Sequence, residues 1–136
     1  MKPHLILYHW ELPQALAEQG GWTNREIVHW FGESVEIISK NLGDRIFSMA
    51  PIDEPSCVSW LSHALEHHAR RKQDLKLAAL SMHNVLLENG RTIEIFYVLK
   101  IRKIQVVCAI WNGATQRAKQ TKILKLQKFM APFSII

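Results

Sequence analysis

Three short apolar stretches that do not alternate with polar residues constrain this chain most: Leu5-Ile6-Leu7-Tyr8, Arg45-Ile46-Phe47-Ser48-Met49-Ala50 and Ile104-Gln105-Val106-Val107-Cys108-Ala109-Ile110. Strands that are apolar on both faces belong to parallel sheets covered by helices. The segments between them have helical spacing. Ile27, Phe31, Val35, Ile38 and Leu42 recur at steps of four and three, which puts them on one helix face. Thr23-Asn24-Arg25-Glu26 has the form of a capping box ahead of that helix, and Gly43 sits where a helix end favours positive φ. A second helix is expected from Asp74, with Leu75, Ala79, Met82 and Leu86 inward, and Gly90 weakens its far end by about 1 kcal/mol relative to alanine. Glu11-Leu12-Pro13 to Gly20-Gly21 reads as a loop. The order strand, helix, strand, helix, strand predicts an α/β fold with a parallel sheet.

Several classes of protein are excluded. No apolar run approaches the roughly 18 residues that a membrane span needs. Met1-Lys2-Pro3-His4 does not open a secretory signal, and two cysteines, Cys57 and Cys108, do not make a disulfide scaffold. Both observations point to a reducing, cytoplasmic setting. A chain that is 48% hydrophobic is not disordered. Charge is divided unevenly: residues 1–94 hold nine Lys and Arg against all twelve acids, a net of −3, while residues 95–136 carry eight bases and no acid. This asymmetry separates a first unit, residues 1–110, from a basic tail, residues 111–136.

In parallel α/β folds, functional groups gather where strands end. The first strand ends at Tyr8-His9-Trp10 and the second runs out at Asp53-Glu54-Pro55, so an imidazole, an indole and two carboxyl groups fall at one sheet end. Aromatic planes beside convergent polar groups suit a sugar, and a carboxyl group there can act as a general acid. Read from residue type alone, the same groups also fit solvated loop acids and a packed histidine.

These residues carry a resemblance. Leu7-Tyr8-His9-Trp10-Glu11-Leu12-Pro13-Gln14-Ala15-Leu16, then Gly20-Gly21-Trp22, then Leu42-Gly43-Asp44-Arg45, then Ile52-Asp53-Glu54-Pro55 with Cys57-Val58 and Trp60, together resemble family-1 glycoside hydrolases of the β-glucosidase type. The likeness runs over about residues 3–92 and thins to Val106-Val107. It implies an incomplete (β/α)8 TIM-barrel segment covering roughly strands three to five. The implied activity is hydrolysis of β-glycosides with retention, with Glu54 as acid/base, His9 and Trp10 lining the glycone site, and Asp53 at the 2-hydroxyl position. No metal or organic cofactor is implied, and the implied partner is a β-glycoside or another carbohydrate.

The chain departs from the family in several places. A whole barrel takes about 250 residues, and a retaining mechanism needs a second carboxyl group about 5–5.5 Å from the first. The family's nucleophile motif belongs to the seventh strand. Leu87-Glu88-Asn89-Gly90 imitates it but lies in a helical repeat, so Glu88 is expected to be a solvated helix residue. The segment alone is therefore expected to be inactive, and its open strand edges invite self-association. Asp53 replaces the family's asparagine and, when ionised, only accepts hydrogen bonds; Pro51 replaces a threonine and removes a backbone donor. Ser62-His63 and His68-Ala69-Arg70-Arg71 stand where the family has turn glycines.

Two further features offer other chemistry. His63 and His67 are one helical turn apart, near His68 and His83, but no third zinc ligand is fixed by spacing. Over Thr115–Met130, lysines at 119, 122, 125 and 128 flank Ile123, Leu126 and Met130, a basic amphipathic pattern suited to a catalytically silent interaction fragment. The same pattern fits a solvated barrel helix or a non-native tail, which is the favoured reading, so a membrane surface is disfavoured as a partner; nucleic acid is disfavoured because no aromatic-rich basic motif is present.

Overall fold

A computed structural model describes residues 1–65, 67, 73–101 and 104–106. The chain runs through β1 (His4–Tyr8), α1 (Gln14–Glu18), a 3-10 turn (Gly21–Thr23), α2 (Ile27–Leu42), β2 (Ser48–Ile52), a π-helical turn (Cys57–Leu61), α3 (Leu75–Val98) and β3 (Gln105–Val106). The three strands form a parallel sheet in the order β1-β2-β3. The α/β expectation holds, and α1 is a short helix inside the stretch expected to be loop. Residues 107–110 of the third strand candidate, Cys108, His68-Ala69-Arg70-Arg71 and the whole tail from 111 lie outside the described residues.

β2 is the central strand, buried along its length except at half-buried Ala50, whereas β1 leaves His4 and Ile6 exposed at the sheet edge. The second strand begins three residues later than its apolar run suggests. The amides of Phe47 and Ser48 both donate to the carbonyl of Pro3, and Arg45 closes a turn onto Leu42, so residues 45–47 lead the chain in before pairing starts. His4, Leu5, Ile6 and Tyr8 pair with Ser48, Met49, Ala50 and Ile52. The pair missing from this ladder is Leu7 with Pro51, where the proline has no N–H to give.

Apolar side chains collect in two neighbouring clusters. One joins Tyr8, Trp22, Ile27, Ile52, Val58 and Val85; the other joins Val35, Ile46, Met49, Ile95, Phe96 and Ile104, and Phe31 of α2 packs against both. Helix α2 buries Ile27 and Val35 as its periodicity predicts. Its start differs from expectation. The Thr23 hydroxyl donates to the carbonyl of Gly20 within the 3-10 turn, and the Asn24 side chain accepts from the amide of Glu26, so no capping box forms. Gly43 is also not left-handed: its φ is −59°. A Cβ there would run into the carbonyl oxygen of Ser39, so the position requires glycine for lack of space. The left-handed helix end belongs instead to Lys100 after α3, φ 54°, with the amide of Ile101 reaching back to the carbonyl of Phe96.

Helix α3 starts as expected, with the Asp74 carboxylate accepting from the amides of Lys76 and Leu77. It continues through Gly90 to Val98 and is rotated from the expected orientation. Leu75 is 68% exposed and Leu86 55%, while the buried face is Ala78, Ser81, Asn84, Val85, Glu88, Thr92, Ile95 and Phe96. The Asn84 side chain donates to the carbonyl of Trp22 at 2.9 Å, tying this face to the 3-10 turn. Glu88 is therefore not solvated. It is fully buried, Thr92 donates to its Oε1 at 2.6 Å, and burial pushes its carboxyl up to about 7.

Candidate active site

The pairing of Tyr8 with Ile52 brings the residues after β1 level with those after β2. The amide of Asp53 donates to the carbonyl of Tyr8 at 2.9 Å, which carries the sheet ladder one step past the strands. Above it, His9 Nε2 lies 3.2 Å from Asp53 Oδ2, and Trp10 Nε1 donates to the Asp53 carbonyl at 3.2 Å. The imidazole and indole stack, with centroids 4.7 Å apart and planes 19° from parallel. The structure thus joins His9, Trp10 and Asp53 in one cluster. Glu54 follows directly and takes a different partner: the Cys57 thiol donates to its Oε2 at 2.9 Å.

Of the three non-glycine residues with positive φ among the described residues, Trp10, Glu54 and Lys100, two lie at this sheet end. Trp10 has φ 71° and Glu54 has φ 42°. A left-handed conformation is unfavourable for bulky side chains and costs on the order of 1–3 kcal/mol at each residue. At Trp10 it accompanies the return of the indole to Asp53, and at Glu54 it turns the chain from β2 into the helical segment that begins at Pro55.

A cavity of about 440 Å³ opens beside this cluster, walled by Tyr8, Trp10, Leu12, Trp22, Val58 and His63 among others. Trp10 is the one sequence-predicted site residue in that wall; His9, Asp53 and Glu54 are not part of it. Trp22 is buried and meets Tyr8 edge-on at 5.1 Å, so it shapes the floor on which the strand end rests. Sequence reasoning placed Tyr8 and Trp22 in motifs but gave neither a role in a cavity, and it weighed a role for His63 only as a metal ligand. His63 is buried whereas His67 and His83 are exposed. Among the described residues no group of three His, Cys, Asp or Glu side chains is placed to hold a metal. Within the same residues, no helix is long and apolar enough to cross a membrane.

Comparison with known proteins places this arrangement. Residues 1–128 match the profile of Glycosyl hydrolase family 1. The chain belongs to that family. The family-1 segment is 41% identical over 99 residues to Beta-glucosidase A of Acetivibrio thermocellus, a match covering 73% of the chain and 22% of that protein. Against Beta-glucosidase A of Thermotoga maritima the identity is 37% over 134 residues, covering 97% and 30%. The solved Thermotoga maritima beta-glucosidase in complex with castanospermine superposes with a TM-score of 0.79 at 32% identity, over 96% of this chain and 29% of that one. The described sheet and helices are accordingly a segment of the family's TIM barrel, and the chain spans less than a third of the length of these relatives.

Proposed function

We propose that these residues form the acid/base half of a retaining β-glycosidase site. The observation that carries this reading is the level pairing of two parallel strand ends, which sets His9 and Trp10 against Asp53, with Glu54 the next residue along the chain. Glu54 is the general acid: its carboxyl protonates the glycosidic oxygen as the bond to the anomeric carbon breaks, and it later takes a proton from the attacking water. The Trp10 ring offers an apolar face to the sugar. His9 and the Asp53 carboxylate offer polar atoms to its hydroxyl rim, Asp53 on the side of the 2-hydroxyl. The likeness to a beta-glucosidase solved with castanospermine supports a carbohydrate ligand. The second carboxyl group of the mechanism has no counterpart among these residues, since Glu88 is buried in α3 against the core. The 136 residues alone therefore bind a glycoside without turning it over. The exposed edge of β1 supports self-association by strand pairing, and the free Cys57 thiol fits a reducing, cytoplasmic setting. The basic segment from 111 is a separate unit in this reading.

The test combines binding and hydrolysis. An aryl β-glucoside is titrated against the purified chain with tryptophan fluorescence as the readout, and release of the aryl alcohol is followed in parallel. Saturable binding that His9→Ala and Trp10→Ala each weaken at least tenfold is the expected outcome, with no turnover. The reading is refuted by an absence of binding, or by turnover that Glu54→Gln leaves untouched.

A further inference from the structure

Glu54 has two carboxyl oxygens, and the structure treats them differently. Cys57 stands three residues on, in the first turn of the helical segment that Pro55 opens, with its side chain folded back toward the strand end. Its sulfur lies 2.9 Å from Oε2, and this is the hydrogen bond that the Glu54 carboxyl makes among the described residues. The thiol is buried, which keeps competing water away from the contact.

We propose that Cys57 is a positioning residue that commits Oε2 of Glu54 to the role of acceptor and so places the acid's transferable proton on Oε1. This rests on the reading of Glu54 as acid/base. A protonated carboxyl group has one hydroxyl oxygen and one carbonyl oxygen. The S–H donor occupies a lone pair on Oε2 and favours the carbonyl form there, so the O–H forms on Oε1. When the acid acts, the Oε1–H bond breaks, the proton passes to the glycosidic oxygen, and the bond from that oxygen to the anomeric carbon cleaves with its electron pair. The thiol keeps its own proton throughout and neither adds to nor oxidises anything. Burial, and after it the hydrogen bond and charge of Glu54, push the thiol up to about 11, so it remains a donor at neutral pH.

Infrared spectroscopy on the full chain in a Cys108→Ser background tests the proposal, because the single remaining thiol then reports on Cys57 alone. The S–H stretch is expected to move when native protein is acidified through the carboxylate range, and to stay fixed in Glu54→Gln. The carbonyl stretch of protonated Glu54, isolated by subtracting the Glu54→Gln spectrum, is expected to rise in Cys57→Ala and to return in Cys57→Ser, whose hydroxyl also donates. Thiolate absorbance should show Cys57 titrating lower in Glu54→Gln than in the native chain. A thiol that merely packs would move none of these. The acidification series needs no substitution, so a variant that fails to fold does not remove the test. Unchanged bands and titration overturn the hydrogen bond while leaving the acid/base reading standing. Coupled bands in a chain that binds no glycoside overturn the positioning role and that reading together.

Discussion

Replacing Glu88 by glutamine should make the stability of this segment less sensitive to pH, and the structure sets the size of the effect. The carboxyl has no exposed surface, accepts one hydrogen bond from Thr92 through Oε1, and has no partner for Oε2 among the described residues. It lies one turn after Val85 of the first core cluster and two turns before Ile95 of the second. Burial raises its pKa from 4.5 to about 7, an effect that the Thr92 hydrogen bond only partly offsets. The sign follows from proton counts. Between those two values the folded chain holds a proton that the unfolded chain has released, so stability falls as pH rises through this window. Below it the carboxyl is neutral in both states and costs nothing in charge burial. Above about 7 the folded state carries a buried anion, and a gap of roughly 2.5 units corresponds to about 3 kcal/mol. That is a large share of the 5–15 kcal/mol typical of a folded domain.

Urea denaturation followed by tryptophan fluorescence, at intervals from pH 5 to pH 8, measures this directly. Taking the difference between native chain and Glu88→Gln cancels the groups common to both, including the His9–Asp53 pair. The expected outcome is a charge-burial penalty for the native chain of under about 1 kcal/mol at pH 5 that grows to about 3 kcal/mol at pH 8, with the glutamine chain spared it. Parallel curves across the range, or a gap that widens toward acid, would refute the reasoning.

Two other positions give local tests. Asp74→Ala removes the carboxylate that accepts from the amides of Lys76 and Leu77, and should lower stability by about 1 kcal/mol, read as a shift in the urea midpoint. Gly20→Ala should destabilise by about 1 kcal/mol or more, because φ is 110° there and the new Cβ would lie 3.1 Å from that of Asn24; thermal melting followed by circular dichroism reads the loss.

The parts of the site that were legible in the sequence are those that follow from strand ends. Apolar, non-alternating runs announce parallel strands, and parallel strands bring their carboxyl ends to one side, so His9, Trp10, Asp53 and Glu54 were expected at one sheet end. Their individual partners were not legible. Whether His9 meets Asp53 and whether Cys57 turns back to Glu54 depend on register and on the backbone angles at Trp10 and Glu54, which residue type does not encode. Helix α3 shows a second limit. It carries two stripes at helical spacing: Leu75, Ala79, Met82, Leu86 on one side, and Ala78, Ser81, Val85, Glu88, Thr92, Ile95 on another. The larger residues make the first stripe look like the core. The smaller ones are buried, consistent with a helix that packs closely against α2 and the turn at Trp22.

The chain breaks local rules in two ways, and the difference between them separates site from scaffold. Trp10 and Glu54 violate backbone preference, and each violation aims a side chain: the indole comes back over Asp53, and the carboxyl comes within reach of the Cys57 thiol. Strain is held at two adjacent strand ends, in the two residues to which the proposed function gives the aromatic face and the acid. Glu88 violates burial preference instead. Its backbone is regular helix, it does not line the cavity beside Trp10, and among the described residues its hydrogen bond is to its own helix. Nothing is aimed by it, so its raised pKa marks a cost to folding and not a second catalytic carboxyl. The same perturbed titration that flags active-site acids elsewhere therefore points, in this chain, to a residue that can be neutralised without touching the acid/base role proposed for Glu54.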